Sequence, residues 1–308
     1  MAGPRCSVLI ATHGRARYLT AVLDALRGQT LQDFDVVLVD NNVTPTLDVS
    51  HFAFWGDRLR LVHEPTIGLS RARNLAVSLA RGMYVAFLDD DAIPRPTWLD
   101  TLLRGLHVYG AAAAGGSILL HFDGEPPDWL GAEHRVLLAE LLYEGRDIPS
   151  LGQTEYICGG NMAAAVSTFD QVGGFSERLG RVGRLLRSSE ELDWCLRLRA
   201  FGSRVSFVAG AAVEHQIPVQ RQTERFLLRR AYWQGRSDAS LEHSHGRPLE
   251  FGPGGLARSL LSVGYSAASA MTLRDRQTRA LARLMLCRQA GYSLQYAGLQ
   301  ISTLTKRR

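Results

Sequence analysis

Residues 87–94 read FLDDDAIP, so an apolar run ends in three consecutive carboxylates, Asp89, Asp90 and Asp91. Neighbouring carboxylates repel, and partial burial raises their pKa values unless a cation is present. A divalent ion removes that conflict. Mn²⁺ and Mg²⁺ take oxygen ligands, and Mg²⁺ commonly uses one or two carboxylates together with substrate phosphates. D-x-D at a strand end therefore suits a metal-bridged nucleoside diphosphate. A solvated acidic turn that merely ends the strand is the other reading of the same residues.

A second acidic pair lies in RSSEELDWCLRLRAFG (187–202), with Glu190 and Glu191 at a helix start. Spacing alone makes Ser188-x-x-Glu191 a capping box. The alternative makes one glutamate a general base, kept ionised by the helix dipole. Asp40 closes the apolar run of LVDNN (38–42), where it can accept from a base or ribose or serve as a turn aspartate beside Asn41 and Asn42. Arg71 and Arg73 of GLSRARN (68–74) start a helix and can face phosphate or water. His215 in AAVEHQIP can offer an imidazole nitrogen to a metal held by Asp91, or simply pack. Cys6, Cys158, Cys195 and Cys287 are widely spaced, which reads as buried thiols in a reducing compartment.

The elements that must position these groups alternate. Apolar runs at 6–12, 34–42, 59–64, 83–91 and 116–122 read as strands. Helical spacing is expected at 18–29, 69–82 and 96–110, the second closed by Gly82 and the third opened by a proline. Residues 123–155 read as irregular. Residues 157–166 read as a strand with a double-glycine bulge, 188–202 as a helix and 203–209 as a strand. Strand–helix–strand units with continuous apolar strands predict an α/β fold, with a mainly parallel mixed sheet covered by helices on both faces. Ligands in such sheets bind outside the carboxyl ends of the strands. That is where Asp40 and the three aspartates lie.

The chain has 308 residues and a net charge of +5. Residues 1–220 carry 20 basic and 25 acidic residues, whereas 221–308 carry 15 and 5. The expected division is a catalytic domain over 1–219 and a basic, mainly helical extension over 220–308. The extension suits an anionic surface or partner, or a solvated arginine-rich face. No apolar run is long enough for a membrane span, and MAGPRCSVLIATHGR reads as a first strand rather than a signal peptide.

Seven stretches occur in one order: ATHGR (11–15), VDNN (39–42), GLSRARN (68–74), FLDDD (87–91), GGN (159–161), SEELDWCLRLRAFG (189–202) and AAVEH (211–215). The series resembles the family 2 glycosyltransferases and covers about residues 5–216. The resemblance implies a GT-A fold with a C-terminal helical extension of bacterial polysaccharide or natural-product type. It also implies an inverting, metal-dependent transfer from a nucleoside diphosphate sugar, UDP-linked first, to an acceptor hydroxyl. Thr12, Arg15, Asp40, Asn42, Arg73, Asp89 and Asp90 would line the nucleotide. Asp91, Asp89 and His215 would hold Mn²⁺ or Mg²⁺. Gly159, Gly160 and Asn161 would border the sugars. Glu191, with Glu190 beside it, falls at the family's catalytic base, where aspartate is usual. The acceptor is open among lipid-linked, saccharide and natural-product hydroxyls, with no nucleic acid. A cytoplasmic location with contact at the inner membrane face through the basic extension is expected. Two rival readings are a metal-dependent phosphotransferase or phosphatase with Asp89 as nucleophile, and a saccharide-binding protein that keeps the fold without turnover.

Overall fold

The computed structural model describes residues 3–14, 16–246 and 276–305. Arg15, 247–275 and 306–308 lie outside the described residues, so the expectations placed on them are not followed further.

The chain forms two compact units. The first takes the chain up to His121, Glu140–Gly180 and Glu190–Gln216; the second takes Phe122–Ala139, Arg181–Ser189 and the chain from Ile217 onward.

The first unit is built on an eight-stranded sheet: β1 (Cys6–Thr12), β2 (Phe34–Asp40), β3 (Leu59–His63), β4 (Tyr84–Asp89), β5 (Ala92–Pro94), β6 (Ala113–Phe122), β7 (Asn161–Ala165) and β8 (Val205–Ile217). The spatial order is β3-β2-β1-β4-β7-β6-β8-β5. The pairs β2–β3, β1–β2 and β1–β4 are parallel. The pairs β4–β7, β6–β7 and β5–β8 are antiparallel, so only half of the sheet is parallel. Every residue of β2 is buried, as expected of a strand covered on both faces.

Helices α1 (Ala16–Arg27), α2 (Leu69–Ser78), α3 (Trp98–Val108), α5 (Ser167–Val172) and α6 (Glu190–Ala200) belong to this unit, and α4 (Ala132–Arg135) to the other. One apolar cluster joins Val8, Ile10, Leu19, Leu23, Leu38, Leu88, Trp98 and Leu102. Another joins Leu9, Val37, Val39, Phe87, Phe169, Phe175, Trp194 and Phe207. The alternation of strand residues between the two clusters is the period of two that gives each sheet face its own core.

Two sequence expectations change, and one short strand was not expected. The strand expected over 157–166 starts only at Asn161. The strand expected over 203–209 runs on to Ile217. Short β5 was hidden because three residues are too few to show a period.

The second unit is helical: α4, α7 (Glu224–His245) and α8 (Arg276–Thr305). Thr223 caps α7, its hydroxyl accepting from Phe226 N at 3.3 Å. Helices α7 and α8 approach closely, because a Cβ on Gly235 would overlap the Arg288 carbonyl. Across their contact Tyr292 Oη donates to Glu242 Oε2 at 2.7 Å, and Arg288 Nε donates to Asp238 Oδ2 at 2.9 Å. No helix among the described residues is long and apolar enough to cross a membrane.

Candidate functional site

The carboxyl ends of three adjacent parallel strands set the site. Thr12 is in register with Asp40, and Ala11 with Asp89. The acids thus reach one sheet edge because each ends a buried apolar strand.

Asp40 is almost fully buried. Its Oδ1 accepts from Asn42 Nδ2 at 2.6 Å, and its Oδ2 from Thr46 N at 2.6 Å and Leu47 N at 3.0 Å. Burial pushes its pKa up, but these donors outweigh burial and hold the carboxyl below its ordinary value. Asp40 and Asn42 together organise the loop after β2. Asn41, which the sequence marked only as a turn residue, does comparable work. Its Nδ2 donates to Glu64 O and Thr66 O, both at 2.9 Å, and its Oδ1 accepts from Gly68 N at 2.8 Å, which places the start of α2.

Thr12 Oγ1 donates to Asp90 Oδ2 at 2.5 Å, with both residues buried. Asp90 therefore faces the end of β1. Asp91 turns toward β8, where Oδ1 lies 3.4 Å from His215 Nε2. The antiparallel pairing of Ala92 with His215 brings these two side chains together across 124 residues of sequence.

Arg73 is the centre of the arrangement. Its Nη2 donates to Asp89 Oδ1 at 3.0 Å, and its Nη1 donates to Glu190 Oε1 at 3.2 Å and Glu191 Oε1 at 3.1 Å. The guanidinium lies 5.9 Å from the Phe175 ring centroid. Burial opposes its charge, but Asp89, Glu191 and Glu190 outweigh burial and raise its pKa further. One buried cation thus ties the D-x-D to both glutamates, three stretches the sequence could only put in order.

Gly159 and Gly160 make the approach sterically feasible. A Cβ on Gly159 would overlap the Arg73 guanidinium, and one on Gly160 would sit 2.7 Å from Asp89 Oδ2. Gly159 N also donates to Glu191 Oε1 at 3.2 Å. Asn161 departs from the expectation that it borders a sugar. It is fully buried, its Nδ2 donating to Ser117 O and Ala211 O and its Oδ1 accepting from Trp98 Nε1 at 2.7 Å. These bonds pin the sheet to α3, and the amide faces protein on every side.

The capping-box reading of Ser188 and Glu191 is overturned. Helix α6 begins at Glu190, preceded by Ser189 at φ 83°. Ser188 Oγ donates instead to Gln234 Oε1 at 2.9 Å. Glu191 turns to Arg73 and Gly159. A left-handed serine is costly for a residue with a Cβ, and such strain gathers at functional positions. Asn74 was also missed. Its side chain exchanges two hydrogen bonds with the Phe175 backbone, at 2.8 and 2.9 Å, and so sets the ring beneath Arg73. Its place in the GLSRARN stretch was the available signal.

Among the described residues no group of three His, Cys, Asp or Glu side chains converges as a metal cage. Asp91 and His215 nevertheless offer a carboxylate oxygen and an imidazole nitrogen at one point. Two protein donors match a divalent ion that shares its shell with a diphosphate and water. All four cysteines are free; burial pushes Cys158 up to about 12 and Cys195 to about 11, so neither is a thiolate at neutral pH.

An α/β sheet with acids at the ends of its parallel strands is the arrangement in which ligands sit outside the carboxyl ends of the strands. Residues 7–173 match the family described as Glycosyl transferase family 2. That is more than half of the chain, and the protein belongs to this family. A glucosyl-dolichyl phosphate glucuronosyltransferase of Haloferax volcanii is 26% identical over 244 residues, 76% of each chain. A pre-mycofactocin glycosyltransferase of Mycobacterium tuberculosis is 27% identical over 295 residues, covering 93% of this chain and 59% of that one. This chain therefore spans only about three fifths of the mycobacterial relative. Staphylococcus aureus TarS shares the fold, with a TM-score of 0.52 at 15% identity over 96% of this chain and 55% of TarS. Its 1–349 fragment in complex with UDP aligns with a TM-score of 0.50, also at 15% identity.

Proposed function

We propose that this chain transfers a glycosyl group from a nucleoside diphosphate sugar, UDP-linked first, to an acceptor hydroxyl, with inversion at the anomeric carbon. The observation that carries this reading is the contact of Arg73 with Asp89, Glu190 and Glu191, which puts the diphosphate-side acids and a base in one cluster. The UDP complex of the TarS fragment supports the choice of donor base.

Glu191 is the general base. Its Oε1 is engaged by Arg73 and Gly159, which leaves Oε2 to take the acceptor proton. Glu190 is the more deeply buried of the two, at 3% side-chain exposure against 12%, and acts in fixing Arg73. The deprotonated acceptor oxygen attacks the anomeric carbon from the face opposite the diphosphate. The bond from that carbon to the diphosphate oxygen breaks, and its electron pair leaves with the nucleotide. The loop organised by Asp40 and Asn42 receives the base, and Thr12 holds Asp90 beside it. The backbone of Gly159 and Gly160 borders the sugar, in place of the buried Asn161 amide. Asp91 and His215 would hold Mn²⁺ or Mg²⁺, whereas Asp89, expected as a third ligand, turns its Oδ1 to Arg73. When bound, the ion supplies positive charge to the leaving diphosphate. The leaving group needs no protonation, so one carboxylate base suffices.

The reading is tested by Mn²⁺-dependent release of UDP from UDP-sugars, with the product anomer assigned by NMR. Glu191→Gln should bind UDP while losing turnover. Release within a few-fold of wild type would end the assignment of the base. Release unchanged by EDTA would end the metal role.

A further inference from the structure

The helical unit holds a cavity of about 190 Å³ lined by Trp129, Glu224, Arg276, Arg279, Ala280 and Arg283. Arg276, Arg279 and Arg283 are three and four residues apart on α8, which puts their side chains on one helix face. Trp129 and Ala280 are buried and supply the apolar part of the lining. Gln277 Nε2 donates to Asp128 O at 2.9 Å, fixing α8 to the segment that carries Trp129.

Among the described residues that line this space the charges do not balance. Arg283 Nη1 is bound to Glu224 Oε1 at 2.8 Å, whereas Arg276 and Arg279 have no acidic partner among the described residues. Three guanidinium groups against one carboxylate leave two positive charges facing one hollow. Like charges gather at a cost that an anion between them removes. The Arg fork matches phosphate oxygens in pairs, and a phosphate monoester carries about −1.5 to −2 at neutral pH. The volume exceeds the ~30 Å³ share of one water and is below the ~300 Å³ of the smallest typical drug-sized sites. It fits a head group rather than a whole substrate.

We propose that this cavity binds the phosphate of a phosphate ester, with Arg276 and Arg279 as its forks and Glu224 as the anion that the ligand must compete with for Arg283. The proposal stands apart from the transfer chemistry, because binding is read directly and without turnover.

The test uses the full chain, three probes and two variants of opposite expected sign. The probes are inorganic phosphate, a short-chain prenyl phosphate, and phosphatidylcholine vesicles with and without phosphatidic acid. Calorimetry should show the prenyl phosphate binding, with inorganic phosphate competing for the same site. Arg276→Gln with Arg279→Gln should weaken that binding about tenfold or more. Glu224→Gln should tighten it, since it removes the competing carboxylate; this outcome cannot come from a folding defect. Absence of binding by both soluble probes overturns the proposal. So does equal affinity in the double variant, or weaker binding in Glu224→Gln. Retention only on phosphatidic acid vesicles overturns it as well, in favour of a general membrane-facing surface. Such failures would leave UDP release untouched, and loss of UDP release would leave phosphate binding untouched.

Discussion

The two units use arginine in opposite ways. In the sheet unit, Arg73 is 4% exposed and is met by three carboxylates. In the helical unit, Arg276, Arg279 and Arg283 line an open hollow with Glu224 as the single acid among the described lining residues. The first is a closed, overcompensated charge whose partners are fixed by the fold. The second is an undercompensated set with room for a ligand. A buried ion cluster costs much when one member is removed, because the rest stay buried without compensation. Exposed pairs are worth about 0–1 kcal/mol. The same residue type therefore marks rigidity in one unit and recognition in the other.

The contrast predicts a graded series. Glu191→Gln should lower turnover about 10²–10⁴-fold, the range for loss of a general base, with UDP affinity within a few-fold in equilibrium dialysis. Arg73→Ala leaves three acids without their cation and should cost roughly 3–5 kcal/mol in denaturant unfolding. Arg73→Lys should recover little, since one ammonium cannot span both sides of the cluster. Asn161→Leu removes the partner of Trp98 Nε1 and should cost about 1–3 kcal/mol through the orphaned indole N–H.

The helical unit should answer more weakly than the Arg73 cluster. Tyr292→Phe deletes one hydrogen bond to the buried Glu242 carboxylate and should cost about 1.5–3 kcal/mol. If it cost as much as Arg73→Ala, the contrast between the units would fail.

A pH prediction belongs to Asp40. Its folded pKa lies below the ordinary 3.8. Its contribution to stability is thus fully present above the unfolded value and is lost as pH falls through the folded one. Asp40→Asn should flatten the acid limb of the stability curve below about pH 4, and leave the slope near neutrality unchanged.

Much of this was legible from the chain. The apolar runs ending in Asp40 and Asp89 marked both the strands and the sheet edge at which these acids gather. The GGN stretch showed its glycines, although why they are glycines emerged only when Arg73 and Asp89 were found packed against them. The antiparallel half of the sheet was less legible, since pairing direction leaves no mark on a buried apolar run.

Local physics decided what could be read in advance: strand and helix periods, the acids at strand ends, the charge asymmetry between body and tail. These depend on residues a few positions apart. Only the tertiary structure decided that both Glu190 and Glu191 face Arg73, that Ser188 turns to Gln234 rather than capping α6, that Asn161 is a pin, and that Asp91 meets His215. Arg73 lies 117 and 118 residues from its two glutamates. Contacts across such distances are chosen by how the strands and helices pack, and the chain order alone carries no record of that choice.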